Sequence, residues 1–255
     1  MNCKICSSEV KKIFKKKILN KYDVQFFHCN NCGFLFTEEP YWLAEAYNSA
    51  INISDTGILD RNIYFSKVVS SLIYSFFDKE GTFLDYAGGY GIFTRLMRDI
   101  GFDFYWFDKY SQNLLARGFE YEKIKKAPVE ALTAFEVFEH LVDPLEEINK
   151  MLAVSENIFF STKLLPEPVP EDWWYYGFNH GQHIAFYSKQ TLTFIANKNG
   201  LRFYSFGEIH LFTTKKISQL LFSVIVKLSK YGIAYFIARL LMKSKTWEDH
   251  TLLNE

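Results

Sequence analysis

Phe83-Leu84-Asp85-Tyr86-Ala87-Gly88-Gly89-Tyr90-Gly91 decides how this chain is read. A short apolar strand ends in an acid, a glycine-rich turn follows, and Ile92-Phe93-Thr94-Arg95-Leu96-Met97 opens a helix. Glycine turns and helix N-termini present bare backbone N–H groups to a ligand. A dinucleotide site calls for G-x-G-x-x-G. Here Gly89-Tyr90-Gly91 runs into Ile92-Phe93-Thr94, so the third glycine is absent, and Asp85 stands where it would repel a pyrophosphate. The acid suits a ligand with an ammonium or sulfonium centre. S-adenosylmethionine carries both and has no phosphate, so it is the expected cofactor. Asp108 ends the next strand and is placed to accept both ribose hydroxyls.

On either side of the turn, strands alternate with helices. Val68, Val69, Leu72, Ile73 and Phe76 repeat at helical spacing and predict a helix over 60–77, stopped by Gly81. Strands are expected at 82–86, 102–107, 157–161 and 203–206, with another and its exit loop over 131–138. Asp143-Pro144 reads as an N-cap with proline at the first helical position, and Ser188 caps a helix that Gly200 ends. This order predicts an α/β fold, a mostly parallel Rossmann-like sheet with helices on both faces. The span between Asp108 and the 131–138 strand is too short for a clear third strand.

The N-terminus has its own chemistry. All four cysteines fall into two C-x-x-C pairs, Cys3/Cys6 and Cys29/Cys32, which can close a tetrahedral four-thiolate zinc site around a hairpin turning at Asn20-Lys21. Such a site is structural, with no open position. A ribbon this small lacks a core, so metal affinity would be folding energy. Reduced thiols or a redox pair are the alternative, but a redox C-x-x-C usually opens a helix within a βα unit. The composition is globular, 49% hydrophobic and 23% charged, with formal net charge zero, so global charge predicts no polyanion partner. With no secretory pattern at Met1-Asn2-Cys3-Lys4, the expected location is cytoplasmic, with membrane association as an option.

Residues 84–91 resemble the first motif of class I S-adenosylmethionine-dependent methyltransferases, and Asp108 matches that family's ribose-binding acid. Thr133-Ala134-Phe135-Glu136-Val137-Phe138-Glu139-His140-Leu141 is similar to the family's fourth-strand motif. With the cysteine pairs and Gly181-Gln182-His183-Ile184-Ala185-Phe186-Tyr187-Ser188, the chain resembles a bacterial subgroup bearing an N-terminal zinc ribbon, whose members look like glycan- or small-molecule-modifying enzymes. The resemblance implies a cofactor site of Asp85, Ala87, Gly88, Gly89, Gly91, Asp108, Phe135 and Glu136, and zinc on Cys3, Cys6, Cys29 and Cys32. Ala87 departs from the pattern, standing where the family has its first glycine, and the family's third strand with its adenine-binding acid is also missing, so adenine is expected against apolar packing and backbone around residues 127–129, with Glu130 the weaker choice. The implied organisation is a ribbon at 1–36, a connector and helix at 37–80, and a methyltransferase domain at 81–255 with an apolar helical insertion near 216–242.

Methyl transfer is an in-line displacement in which alignment and desolvation do most of the work. A base helps when the acceptor is a hydroxyl or an activated C–H. His140, after the fourth strand, and His183, after the aromatic loop, are the expected candidates, with His180 a third; a structural hydrogen-bonding role is the alternative for each. Trp173, Trp174, Tyr175 and Tyr176 are read as an acceptor lid or a sugar-stacking wall, or as a packed loop. Residues 216–242 either lie in a membrane interface, cover the acceptor pocket, form a dimer contact or pack as a helical hairpin. The leading expectation is methyl transfer to a sugar or other small molecule. An RNA methyltransferase using the lysines of residues 11–17 and a non-catalytic zinc-ribbon binding protein are the alternatives, and the oligomeric state stays open.

Overall fold

The computed structural model describes residues 1–48, 55–124 and 128–254. Its two sheets are built from β1 (Lys11–Ile18), β2 (Tyr22–His28), β3 (Leu35–Thr37), β4 (Thr82–Tyr86), β5 (Asp103–Phe107), β6 (Val129–Ala134), β7 (Ile158–Ser161), β8 (Ala185–Phe186), β9 (Arg202–Phe206) and β10 (Ile209–Thr213). The helices are α1 (Leu43–Ala46), α2 (Ile58–Phe76), α3 (Ile92–Ile100), α4 (Pro144–Val154), α5 (Lys189–Lys198), α6 (Gln219–Ser229), α7 (Ile233–Leu241) and α8 (Thr246–Leu252).

The larger sheet has the order β5-β4-β6-β7-β10-β9. The pairs β4–β5, β4–β6 and β6–β7 are parallel, whereas β10 is antiparallel to both β7 and β9. Alternating side chains serve opposite faces, as the period of two demands. Phe83, Ala131, Phe159 and Leu211 join α2, α3 and α6 in one core, while Leu84, Leu132, Phe160 and Phe212 join α4 and α5 in the other. Among the described residues, a single parallel bridge between Trp106 and Glu120 stands in place of a third strand beyond β5, with the Trp106 N–H donating to the Phe119 carbonyl at 2.7 Å.

β10 is absent from the sequence reading. Its residues, Ile-His-Leu-Phe-Thr, are all buried, so they carry no alternation. The legible signal was Gly207-Glu208, a two-residue loop with Gly207 at φ +61°, which closes the β9–β10 hairpin. Asp143 does precede α4, but its side chain makes no capping bond; Ser188 does cap α5, accepting from the Thr191 N–H.

The smaller sheet, β1-β2-β3-β8, corrects the picture of a coreless ribbon. The hairpin reverses through Leu19 and Asn20, both left-handed, rather than through Asn20-Lys21. Val24, Phe26 and Leu35 then pack with Trp42, Tyr175, Tyr176 and Phe186 in a core of their own. The ribbon therefore borrows β8 and an aromatic loop from far along the chain.

Residues 216–242 form α6 and α7, a hairpin turning at Gly232 (φ +77°). Phe222 and Val226 seat α6 on the core, while Leu220, Leu228, Ile233, Phe236 and Leu240 are exposed. Among the described residues no helix is long and apolar enough to cross a membrane. α8 returns to the sheet edge, where Asp249 holds Arg98 through two bonds of 2.6 and 2.8 Å.

His210 is buried between the Ser205 hydroxyl and the Thr162 carbonyl, and burial lowers its pKa to about 4. A neutral buried histidine binds fewer protons than the unfolded chain below pH 6.5, so its share of stability is lost as the pH falls toward its folded value. Between pH 7 and pH 5 this group alone is expected to cost about 2 kcal/mol. Urea unfolding of wild type and His210→Gln at both pH values checks this. The variant is expected to lose less stability, and parallel losses would refute the assignment.

Candidate active site

The C-terminal ends of β4, β5 and β6 meet at the glycine turn, where ligands bind in open α/β sheets. Ala87 takes the left-handed conformation itself, at φ +56°, and Gly89 and Gly91 follow at +55° and +83°. A non-glycine residue in this region costs on the order of 1 kcal/mol, so the family's usual glycine is replaced here at the expense of strain. Gly88 is excluded from bearing a side chain by packing, since a Cβ would lie 2.7 Å from Asp85 Oδ2. A Cβ on Gly89 would meet nothing within 4 Å, so this turn faces open space. α3 starts at Gly91 with no side-chain cap, leaving its first N–H groups to a ligand.

Asp108 reaches back over this turn. Its Oδ2 accepts from the Gly89 N–H at 2.9 Å, and its Oδ1 accepts from the N–H groups of Tyr110 and Ser111, each at 2.7 Å. A carboxylate has about four acceptor positions, so room remains for roughly one more donor rather than two ribose hydroxyls at once.

Asp85 faces inward. It is 3% exposed, and its oxygens accept from the hydroxyls of Thr94 and Thr133, both at 2.9 Å. Burial raises its pKa to about 7, against the lowering effect of the two hydroxyls. It clamps α3 to β6 beneath the turn. Phe135 stacks on Phe65 at 4.3 Å and meets Phe93 edge-on, which places its ring in the α2–α3 packing. Glu136, at φ +54°, donates its N–H to Ser161 Oγ and accepts the Ser161 hydroxyl at 2.6 Å, with Arg61 at 3.6 Å. Of residues 127–129, Ala127 lies outside the described residues. Val129 begins β6, and the Glu130 side chain pairs with Lys215 at 2.7 Å.

The three histidines come together. His140 and His183 are 4.9 Å apart between ring centroids, and His180 and His183 are 4.8 Å apart, all near edge-on. Burial lowers His140 to about 4, and it also lowers His183 and His180. His183 Nδ1 lies 2.6 Å from the Tyr175 carbonyl, so it carries the proton and Nε2 is the free acceptor. Gln182 donates its N–H to His180 Nδ1. His140 Nδ1 meets the Gln182 carbonyl at 3.1 Å and the Tyr47 hydroxyl at 2.8 Å. Tyr47 was not singled out from the sequence: it follows α1, 93 residues before its partner, and no local pattern marks such a contact.

The aromatic loop divides. Tyr175 and Tyr176 are core, Trp174 is 75% exposed, and Trp173 and Trp174 line a cleft of about 560 Å³ with Tyr64, Pro166 and Phe206. Of the four aromatics, the two tryptophans therefore line a cleft and the two tyrosines belong to the packed loop.

The four cysteines also converge, with all Sγ atoms within 4.8 Å of one another and pairs at 3.4 and 3.5 Å. Zn–S bonds of about 2.3 Å span a tetrahedron with edges of roughly 3.8 Å, so the donor set fits a closed zinc site. The two knuckles share one turn: the Ser7 N–H donates to the Cys3 carbonyl and the Gly33 N–H to the Cys29 carbonyl, with Ser7 and Gly33 both at positive φ. Cys3 and Cys32 share a sulfur–sulfur hydrogen bond of 3.5 Å, which lowers the Cys3 pKa to about 5 and raises that of Cys32.

This is the site of a Rossmann-like ligand-binding enzyme, open at the ends of its parallel strands. A family model described as a methyltransferase domain matches residues 62–205, more than half of the chain, and the chain belongs to that family. A comparison with curated proteins finds no match. Among solved structures, TnmH is similar with a TM-score of 0.47 and 14% identity, covering 68% of this chain and 60% of that one. CalO1, a methyltransferase in calicheamicin biosynthesis in its SAH-bound form, gives 0.39 and 12%, covering 58% and 53%. The magnesium protoporphyrin IX methyltransferase ChlM from Synechocystis PCC 6803, with bound SAH, gives 0.42 and 12%, covering 67% and 90%. The match thus spans less than two thirds of the length of TnmH and of CalO1.

Proposed function

We propose that the chain transfers a methyl group from S-adenosylmethionine to a small-molecule or sugar acceptor, as a member of a subgroup with an N-terminal zinc ribbon. The observation that carries this is the Asp108–Gly89 bond at the mouth of β4 and β5, joined to the family match over 62–205. Gly89, Gly91 and the uncapped start of α3 would hold the amino-acid end of the donor, and Asp108 a ribose hydroxyl. The bound donor supplies an electrophilic methyl on a good leaving group. On the acceptor side, His183 keeps Nε2 unprotonated and is the proposed proton acceptor, with His140 beside it. The cleft at Trp173 and Trp174 takes the acceptor. In this reading residues 1–36 are the ribbon, 37–80 the connector and first helix, and 81–255 the catalytic domain, which lends β8 to the ribbon sheet.

The basic hairpin does not favour RNA. Lys16 is paired with Asp172 at 2.8 Å and Lys17 lies 3.8 Å from Asp23, so two of its lysines already face carboxylates. Calorimetry with S-adenosylhomocysteine tests the donor site. Asp108→Ala is expected to weaken binding ten- to a hundred-fold, the worth of a charge-assisted bond, and Asp108→Asn less. Affinity unchanged in both variants would overturn the reading.

A second element concerns α6 and α7, which we place against an anionic membrane surface. Between residues 209 and 247 there are seven Lys or Arg and no Asp or Glu, and the exposed apolar side chains lie within this stretch. Co-sedimentation with phosphatidylserine-containing vesicles is expected for wild type, and is expected to be lost in Phe236→Asp/Leu240→Asp. No sedimentation, or a salt-stable dimer that ignores vesicles, would assign the face elsewhere.

A further inference from the structure

Glu139 is a costly side chain to leave as it stands. It is fully buried, its Oε1 accepts the Tyr175 hydroxyl at 2.7 Å, and its Oε2 has no partner among the described residues. A buried carboxylate oxygen with nothing to bond costs several kcal/mol if charged. Burial, with Glu136 adding to it, accordingly raises its pKa to about 8. Two imidazoles stand next to it: a carboxylate oxygen of Glu139 and a ring nitrogen from each of His140 and His183 lie within 4.8 Å of one another.

We infer that Glu139, His140 and His183 form a second metal site, one that takes a divalent transition cation through two imidazole nitrogens and a carboxylate. Two histidines and one acid are a common donor set for such ions, with positions left open for other ligands. The supporting shell matches as well. Metal-binding imidazoles usually direct one N–H at a carbonyl or carboxylate, which frees the other nitrogen. His183 Nδ1 lies 2.6 Å from the Tyr175 carbonyl and His140 Nδ1 lies 3.1 Å from the Gln182 carbonyl, so both rings can leave Nε2 bare. His180 is excluded from the set, because its Nδ1 accepts from the Gln182 N–H and its proton therefore sits on Nε2. Bonds of about 2.1 Å to one ion bring donors to roughly 3.4 Å from each other, so side-chain rotations must close the cluster by about an ångström.

This site differs from the cysteine site in every donor. Thiolates select soft ions, whereas the nitrogen and carboxylate donors accept manganese. If an acceptor hydroxyl reaches His183, as proposed above, the cation takes over the role given there to Nε2, since a metal-bound nitrogen cannot also accept a proton: its charge would lower the pKa of a hydroxyl brought against it. The cation site itself stands on the three side chains whether or not that role is right.

Manganese binding to the full-length, zinc-loaded protein, followed by loss of the free-ion electron paramagnetic resonance signal, tests the inference. One Mn²⁺ per chain is expected. Glu139→Gln, which keeps the shape and removes the charge, and His183→Asn are each expected to weaken uptake at least ten-fold, with far-ultraviolet circular dichroism unchanged. No uptake by wild type, or uptake in both variants unchanged from wild type, overturns the site. S-adenosylhomocysteine calorimetry on the same preparation separates the two ideas. Donor binding without Mn²⁺ uptake removes the metal site and leaves the methyltransferase reading, and Mn²⁺ uptake without donor binding does the reverse.

Discussion

The backbone of Ile184 joins the two halves of the molecule. Its carbonyl accepts the Thr37 N–H at 3.1 Å, and its own N–H donates to the Glu139 carbonyl at 2.8 Å. Leu35 pairs with Phe186 and Phe36 with Ala185 immediately beyond it. One extended segment is therefore both the last strand of the cysteine-bearing sheet and the support of the loop that carries His180 and His183. The surrounding bonds repeat the connection. Thr191 donates its hydroxyl to the Cys32 carbonyl, Trp42 its indole N–H to the Gly181 carbonyl, and Tyr187 its hydroxyl to the Phe138 carbonyl. The ribbon is in this sense a brace for the loop that carries the histidines, and its four thiols sit in the same core as Phe138 and Tyr187.

The donor side is built on different physics. Asp85 is kept among Thr94 and Thr133, so α3 and β6 are tied at the point where the turn leaves β4. The turn is held from the other side by Asp108, and the indole of Trp106 donates to the Gly89 carbonyl. The result is a rim whose backbone is fixed before any ligand arrives. Preorganisation of this kind is what an in-line transfer needs, since misalignment is the main barrier that protein can remove.

The parts of this arrangement that were legible in the sequence are the local ones. β4 and α3 are bounded by glycines and an acid within a dozen residues, and the pattern places both to within a residue. The missing third strand was legible as too little chain. The C-x-x-C pairs announce their own convergence, because few other arrangements use two pairs and leave no cysteine over. What the sequence hides is long-range. The partners of Asp85 lie nine and 48 residues away. The pairing of β3 with β8 joins segments about 150 residues apart, and two residues of strand carry no periodicity. Tyr175 and Trp174 are adjacent and of similar type, yet one is core and the other surface, because a short 3-10 turn places neighbours on different sides. Asp85 itself is a mixed case: its position at the strand end was evident, but its burial and its two threonine partners, which tie α3 to β6, were not.

The claim that the cysteine ribbon braces the histidine loop is most directly tested by amide hydrogen exchange on Cys6→Ser beside wild type. Cys6 is the half-exposed member of the four, so its replacement disturbs the thiolate site with the least damage to the core. The account predicts faster exchange over residues 3–37 together with residues 175–187, Ile184 included, while the amides of β4, β6 and β7 keep their protection. Faster exchange confined to residues 3–37, with 175–187 unchanged, would contradict it.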